Sequence, residues 1–321
     1  MGCGLVRTAL VVTVRNEAAR IEEFLASLEA QTRTPDVIVV TDGGSTDGTQ
    51  AALAGFAART SLPFRWLEVP GNRSKGRNAA IEGSQADLIA MTDASVPDAA
   101  WFERIIAPLE TGTTDLVSGW YELRADRPQE RCIGLLTQYS LNQVDPSRFL
   151  PSSRSVAFTR DLWERAGRYP EVYSGNEDTI FDLAMERLRP RKAFVSDAVV
   201  RWRPAHSVRQ VYRQYERYAE GDGQAAIFLT KETRYAAYFA AYGGGLALLV
   251  LGALWWPAWL LLVIALSAYF VARIRKVLSA GMGRLVPYAI AVIVAWDVGR
   301  IVGYTKGRLD RLRRGRAHYR F

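Results

Sequence analysis

With 321 residues, 49% of them hydrophobic and 23% charged, the chain can fill one or two domains with full cores and is unlike a disordered or fibrous sequence. Its net charge of +8 is uneven: residues 273–321 hold 12 Lys/Arg against Asp297 and Asp310, which is +10, residues 235–272 hold no charge, and residues 1–234 therefore sum to −2. That distribution excludes a basic, nucleic-acid-binding body, and two cysteines and two histidines exclude a disulfide framework and a His-rich zinc site.

Residues 8–14 read as a first buried strand, too short an apolar run for a secretory leader, followed by Arg15-Asn16-Glu17. Ile21, Phe24, Leu25 and Leu28 recur at helical spacing and predict a helix over 18–30. Residues 37–40, Val-Ile-Val-Val, read as a strand buried on both faces, as in a parallel sheet. The run breaks at Asp42 into Gly43, Gly44 and small hydroxyl residues. Gly43 and Gly44 permit a close approach of backbone to a ligand, and Thr46 or Asp47 caps a helix over 48–59. A carboxylate at the C-terminal end of such a strand faces the crevice where open α/β sheets bind ligands, so Asp42 is a candidate reader of a nucleotide base or ribose. A tight turn with no ligand needs the same residue types.

A third strand over 64–69, a helix from 75 to about 86 and a fourth strand over 88–92 ending at Asp93 complete a βαβαβαβ pattern. It predicts a mostly parallel sheet with helices on both faces. Glu17, Asp42 and Asp93 then gather at one sheet edge, where they repel one another unless a cation or ligand holds them. Further on, the pattern gives a helix over 101–109, a strand over 116–123, a charged loop over 124–131 and a helix over 132–141. A polar, Pro-punctuated stretch, 142–155, reads as a mobile loop over the site, and a short strand and helix follow at 156–159 and 161–166. Glu177 and Asp178 open a helix over 179–188, where they either cap it or serve a site. A helix over 207–219 brings Gln214, Arg217 and Tyr218 within about one turn.

Residues 235–254 are about long enough to cross a hydrocarbon core, and residues 257–272 slightly short. Trp255, Trp256 and Trp259 around Pro257 read as an aromatic belt at the far interface, and Arg273, Arg275 and Lys276 place the near end in the cytosol. The expectation is a cytosolic domain, 1–223, and a membrane domain, 224–321, making a multi-pass protein of the inner (plasma) membrane. A third apolar helix, about 285–304, is interrupted by Asp297 and Arg300 and reads as interfacial or re-entrant, with a basic tail, 305–321, lying on anionic lipid.

Taken together, residues 7–223 resemble a membrane-attached family 2 glycosyltransferase with a GT-A fold. Val14-Arg15-Asn16-Glu17 is similar to that family's first-strand motif, and residues 41–49 to its Asp-Asp-Gly-Ser-Thr-Asp-Gly-Thr segment, with Gly43 where a second Asp is common. Gly76-Arg77-Asn78 is similar to its Arg-Asn helix start, and Asp93-Ala94-Ser95 stands at its Asp-x-Asp metal motif with Ser for the last Asp. Glu177-Asp178 is similar to its Glu-Asp pair, and residues 214–218 to the Gln-x-x-Arg-Trp motif of polysaccharide synthases, with Tyr218 for Trp.

The resemblance implies an inverting transfer from a nucleotide-diphosphate sugar to a lipid-linked or saccharide acceptor at the membrane, in cell-envelope glycan synthesis. Asp178, with Glu177 beside it, is implied as the catalytic base. Arg15, Glu17, Asp42, Gly44, Arg77, Asp93 and Arg217 are implied in holding the donor, and Gln214 and Tyr218 the acceptor. Asp93 and Ser95 are implied in holding Mg²⁺ or Mn²⁺. Membrane lipids are expected partners and nucleic acid is not. Two other readings stand beside this one: a polyprenyl-phosphate acceptor, whose ionised oxygen needs no base, and a non-catalytic membrane-tethered scaffold that binds nucleotide sugars, which the Ser at position 95 favours. A nucleotidyltransferase is disfavoured, because no Gly-rich, Lys-bearing loop follows the first strand.

Overall fold

The computed structural model describes residues 6–147, 149–173, 175–227 and 234–315; Cys3 and the last six residues of the expected tail lie outside them. Strands β1 (Thr8–Val14), β2 (Val37–Asp42), β3 (Phe64–Glu68) and β4 (Leu88–Thr92) pair in parallel in the order β3-β2-β1-β4. Helices α1 (Ile21–Glu29), α2 (Thr49–Arg59) and α3 (Arg73–Ser84) cross between them. The Val-rich strands are buried on both faces because helices cover both. Phe24, Leu53 and Phe56 pack on one face with Trp101 and Ile105 of α4 (Trp101–Glu110). Ala80 and Ile81 pack on the other with Trp163 of α6 (Arg160–Arg165) and Phe181 of α7 (Glu177–Arg187).

Beyond β4 the sheet is mixed. Strand β7 (Val156–Thr159) runs antiparallel to β4 and to β6 (Leu116–Leu123), and β8 (Lys192–Trp202) runs parallel to β6. The two-residue β5 (Val96–Pro97) closes the edge against β8. The sequence pattern gave no sign of β8, since Lys192, Ser196, Asp197 and Arg201 break its apolar alternation and its pairing with β6 shifts register between Ser118 and Trp120. Helix α5 (Pro128–Thr137) begins earlier than expected, because Pro128 sits at its first position and Glu130 accepts from the backbone N–H of Arg127.

Helix α8 (Val208–Ala225) outlasts its expected end and leads to three long helices, α9 (Arg234–Gly252), α10 (Pro257–Ser279) and α11 (Val286–Arg314). Two stretches, Pro257–Ser279 and Gly283–Arg314, are long and apolar enough to cross a membrane by length and composition, and Tyr238–Gly252 is a shorter apolar helix. Residues 246–266 hold 13 of the 24 exposed large apolar side chains among the described residues, so the α9–α10 arm is the part of that surface least suited to water. Its base is pinned to α11 by an Arg273–Asp297 ion pair of 2.7 Å, with Asp297 fully buried and also accepting from Tyr242 and Tyr269.

Residues 305–314, expected in a basic tail, are helical and lie against the first domain. Helices α8 and α11 run parallel, and Gly299, Gly303 and Gly307 meet the backbone carbonyls of Tyr212, Glu216 and Glu220 in turn. A Cβ at Gly299 would stand 2.7 Å from the Tyr212 oxygen, and at Gly303 or Gly307 it would collide outright. Four-residue spacing keeps all three on one face, and the missing side chains let the two backbones touch. The seam continues with Gly223 against Tyr304, a Tyr235–Tyr304 stack at 4.3 Å and a Gln224–Asp310 hydrogen bond of 3.0 Å.

Candidate functional site

A cleft of about 770 Å³ opens at the C-terminal ends of β1 and β4 and is walled on its far side by α8. Position follows from topology: a parallel sheet carries its strand-end loops on one edge, and ligands bind there. Arg15, Glu17, Asp93, Ser95, Glu177, Gln214, Arg217 and Tyr218 all line it. Residues as far apart in sequence as Arg15 and Tyr218 therefore share one cavity.

Asp42, Gly44, Arg77 and Asp178 are not among the residues that line it. Asp42 is fully buried, and its carboxylate accepts from the N–H groups of Gly44 and Ser45, from the Ser45 hydroxyl and from Gln50 at 2.8 Å. Burial pushes its pKa up, but these donors outweigh burial and hold it below the ordinary carboxylate value. Its role in this conformation is to fold the turn that presents Gly43 to the cleft, with Gly44 at φ +83°. Arg77, 7% exposed, forms a 2.9 Å ion pair with Glu177, also 7% exposed, and stacks over Tyr169. Next to it, Asn78 ties down the backbone carbonyl and N–H of Tyr169. The Arg-Asn start of α3 thus anchors the segment that leads to the acidic pair.

That segment ends with Asn176 in the left-handed region, then Glu177 and Asp178 in the first turn of α7. Burial raises Glu177, yet the Arg77 charge beside it prevails and leaves it below its ordinary value. Asp178 moves the other way: burial first, then the Glu177 charge, raise its pKa above the usual carboxylate range. Two adjacent carboxyls are thus pushed apart, one held below and one above the ordinary carboxylate range. Gly175 lies so close to α8 that an added Cβ would strike the Arg217 carbonyl, and Gly221 meets the Gly175 carbonyl in return.

Asp93 accepts from the Ser95 N–H at 2.9 Å and pairs with Arg154 at 3.3 Å. Arg154 stacks between Trp202 and Tyr121, 4.6 and 5.6 Å from their ring centres, and its charge acts on both Asp93 and Asp178. Sequence reasoning missed Arg154: it sits in the stretch read as a mobile loop, and only its place between Ser153 and Ser155, both buried, hints at an ordered segment. Among the described residues no three His, Cys, Asp or Glu side chains cluster closely enough to hold an ion by themselves. Asp93, with its side chain 37% exposed, and the Ser95 hydroxyl form a small oxygen set. Such a set fits a hard cation that takes its remaining ligands from water and phosphate oxygens.

Residues 9–145 match the family model described as glycosyl transferase family 2. A curated relative, the uncharacterized glycosyltransferase EpsJ of Bacillus subtilis (strain 168), is 25% identical over 207 residues, which is 61% of this chain and 60% of that protein. The chain thus spans less than two thirds of the length of that relative. Among solved structures, the mannosyltransferase PcManGT from Pyrobaculum calidifontis, in complex with GDP-Man and Mn²⁺, superposes with a TM-score of 0.59 at 22% identity, covering 90% of this chain and 86% of that one. TarS 1-349 of S. aureus, in complex with UDP-GlcNAc, gives 0.53 at 18% identity, covering 95% and 92%. At these identities the structures speak for the fold, and the family match speaks for the strand-end motifs. Residues 9–145 are thus similar to the glycosyl transferase family 2 domain, and the sheet shares its fold with these two glycosyltransferases.

Proposed function

We propose that the protein is an inverting glycosyltransferase of the inner membrane, with its catalytic domain in the cytosol. It moves a sugar from a nucleotide-diphosphate sugar to a hydroxyl of a membrane-associated lipid-linked or saccharide acceptor, in cell-envelope glycan synthesis. One observation carries this reading: Arg154 in the cleft pairs with Asp93 at 3.3 Å and its charge also acts on Asp178, which follows the lining residue Glu177 and is made more basic by burial and by that neighbour. Donor binding falls to the strand-end side, with Arg15, Glu17, Gly43 and Asp93, and acceptor binding to Gln214, Arg217 and Tyr218.

Asp178 takes the proton from the acceptor hydroxyl as that oxygen attacks the anomeric carbon, and the bond to the diphosphate breaks on the opposite face. Glu177, held as an anion by Arg77, keeps Asp178 basic without competing for the proton. Arg154 faces the diphosphate as negative charge builds on it. A divalent cation, Mg²⁺ or Mn²⁺, would be held by Asp93 with Ser95, and when bound supplies Lewis-acid neutralisation of the leaving diphosphate. The PcManGT complex with GDP-Man and Mn²⁺ supports both the donor class and the cation. The exposed apolar arm over 246–266 supports membrane attachment.

The test is release of nucleoside diphosphate by the full chain in membranes, across a panel of donors. Turnover is expected with at least one donor, and Asp178→Asn should lower it roughly a thousandfold while donor binding stays intact. Near-normal turnover of the variant would remove the base. A non-catalytic scaffold is favoured by one observation, the single carboxylate of the Asp93–Ser95 set, and silence with every donor would establish it.

A further inference from the structure

The cleft is lined by nine arginines and four carboxylates, Glu17, Glu23, Asp93 and Glu177. Four of the arginines are already paired: Arg124 and Arg203 with Glu23, Arg154 with Asp93 and Arg201 with Asp98. The other five, Arg15, Arg20, Arg73, Arg213 and Arg217, form no ion pair among the described residues. They fall into two groups. Arg15 packs over Gly43, and Arg20 and Arg73 act on Glu17, so these three stand on the donor side. Arg213 and Arg217 are exposed, one turn apart on α8, with Gln210 and Gln214 on the same stripe.

A nucleotide-sugar diphosphate carries one negative charge on each phosphate. Three donor-side arginines, less the charge of Glu17, already match that need before a cation binds. The α8 pair is therefore surplus to the donor, and it costs stability to hold two unpaired like charges at adjacent turns of a helix. Arg217 lies against Gly175, two residues before the acidic pair, which is the acceptor side of the proposed function. The stripe next to these arginines, at Tyr212, Glu216 and Glu220, rests on α11 at the root of the apolar arm.

Resting on the function proposed above, we infer that the acceptor carries a phosphate group and that Arg213 and Arg217 form its binding subsite. Arg213 is the informative member, because it stands outside the Gln214-x-x-Arg217 motif assigned to the transfer itself. Guanidinium groups bind phosphate through paired charge-assisted N–H donors, and the two flanking glutamines add neutral ones. The phosphate belongs either to a membrane lipid or to a soluble sugar phosphate.

The experiment uses the full chain in detergent micelles, saturated with GDP or UDP so that the donor side is filled. Farnesyl phosphate, farnesol and glucose 1-phosphate are titrated in turn. Farnesyl phosphate should bind at least roughly tenfold more tightly than farnesol, and Arg213→Ala should remove that advantage while Arg213→Lys keeps part of it and nucleotide affinity is unchanged. Binding of farnesyl phosphate without glucose 1-phosphate identifies a lipid phosphate; equal binding of both identifies a soluble one. Equal affinity for farnesyl phosphate and farnesol, or indifference to Arg213→Ala, would overturn the subsite. A chain that binds farnesyl phosphate but neither nucleotide would instead overturn the proposed function and leave the subsite standing.

Discussion

The two walls of the cleft are built in different ways. The strand-end wall is local: β1, β2 and β4 deliver Glu17, Gly43 and Asp93 directly from a sheet buried on both faces. The α8 wall owes its place to packing over long sequence distances, with Gly175 on one side and Gly299, Gly303 and Gly307 on the other. All of these are backbone contacts, which leave no slack for a side chain to absorb. The half of the site proposed for the acceptor is thus set by the helix at the root of the apolar arm, and the half proposed for the donor is set without it.

The sharpest way to break that difference is Gly303→Leu. A side chain there collides with the Glu216 carbonyl, so α8 must move off α11. The overpacked seam should cost about 2–3 kcal/mol in thermal unfolding. Displacing Arg217 and Tyr218 by a fraction of a turn should lower turnover roughly a hundredfold. Nucleoside diphosphate affinity, measured by calorimetry, should stay within twofold of the parent, since Glu17, Gly43 and Asp93 are carried by the ends of β1, β2 and β4 and not by α8. Equal loss of nucleotide binding would show that the two walls are one unit.

The same contrast explains what the sequence disclosed. Strands β1, β2 and β4 announce themselves as unbroken apolar runs, and their terminal acids follow from topology. The turn after β2 was legible as a turn, but not that Asp42 faces inward to hold it, because a carboxylate that binds a ligand and one that binds its own loop look alike in a sequence. Arg77 presents the same ambiguity: its partner, Glu177, lies 100 residues away. The four-residue spacing of Gly299, Gly303 and Gly307 was visible, yet it falls in a helix read as apolar and then basic, and only α8 gives it meaning. Strand β8 and Arg154 were hidden for a simpler reason. Both are polar segments ordered by their neighbours rather than by their own pattern.

A milder perturbation acts on the acidic pair where the walls meet. A general base must be ionised, so activity falls as pH drops through the Asp178 pKa, and that acidic limb should lie above the ordinary carboxylate range. Glu177→Gln removes the like charge that raises Asp178 and frees the Arg77 charge that lowers it. Both effects have the same sign, so the limb should move to lower pH. The pH–rate profile of the variant checks this, alongside a melting curve to confirm that Arg77 is tolerated without its partner.

The smallest expected effect tests the strand-end wall alone. Ser95 is 9% exposed and sits two residues from Asp93, with Glu17 near enough for its own pKa to be raised by burial and by the Asp93 charge. Ser95→Asp adds a third negative charge to that group. Without a cation, the added repulsion should lower stability by roughly 1 kcal/mol. With Mn²⁺ or Mg²⁺ present, the same charge becomes a ligand, and the cation should raise the melting temperature of the variant more than that of the parent. The sign of the change, destabilising without the ion and stabilising with it, is the informative feature, because a merely crowded Asp would be destabilising in both. The effect should leave farnesyl phosphate binding untouched, as that subsite belongs to α8. A cation-independent loss would mean that the Asp93 pair with Arg154, rather than a metal, fills this corner of the cleft.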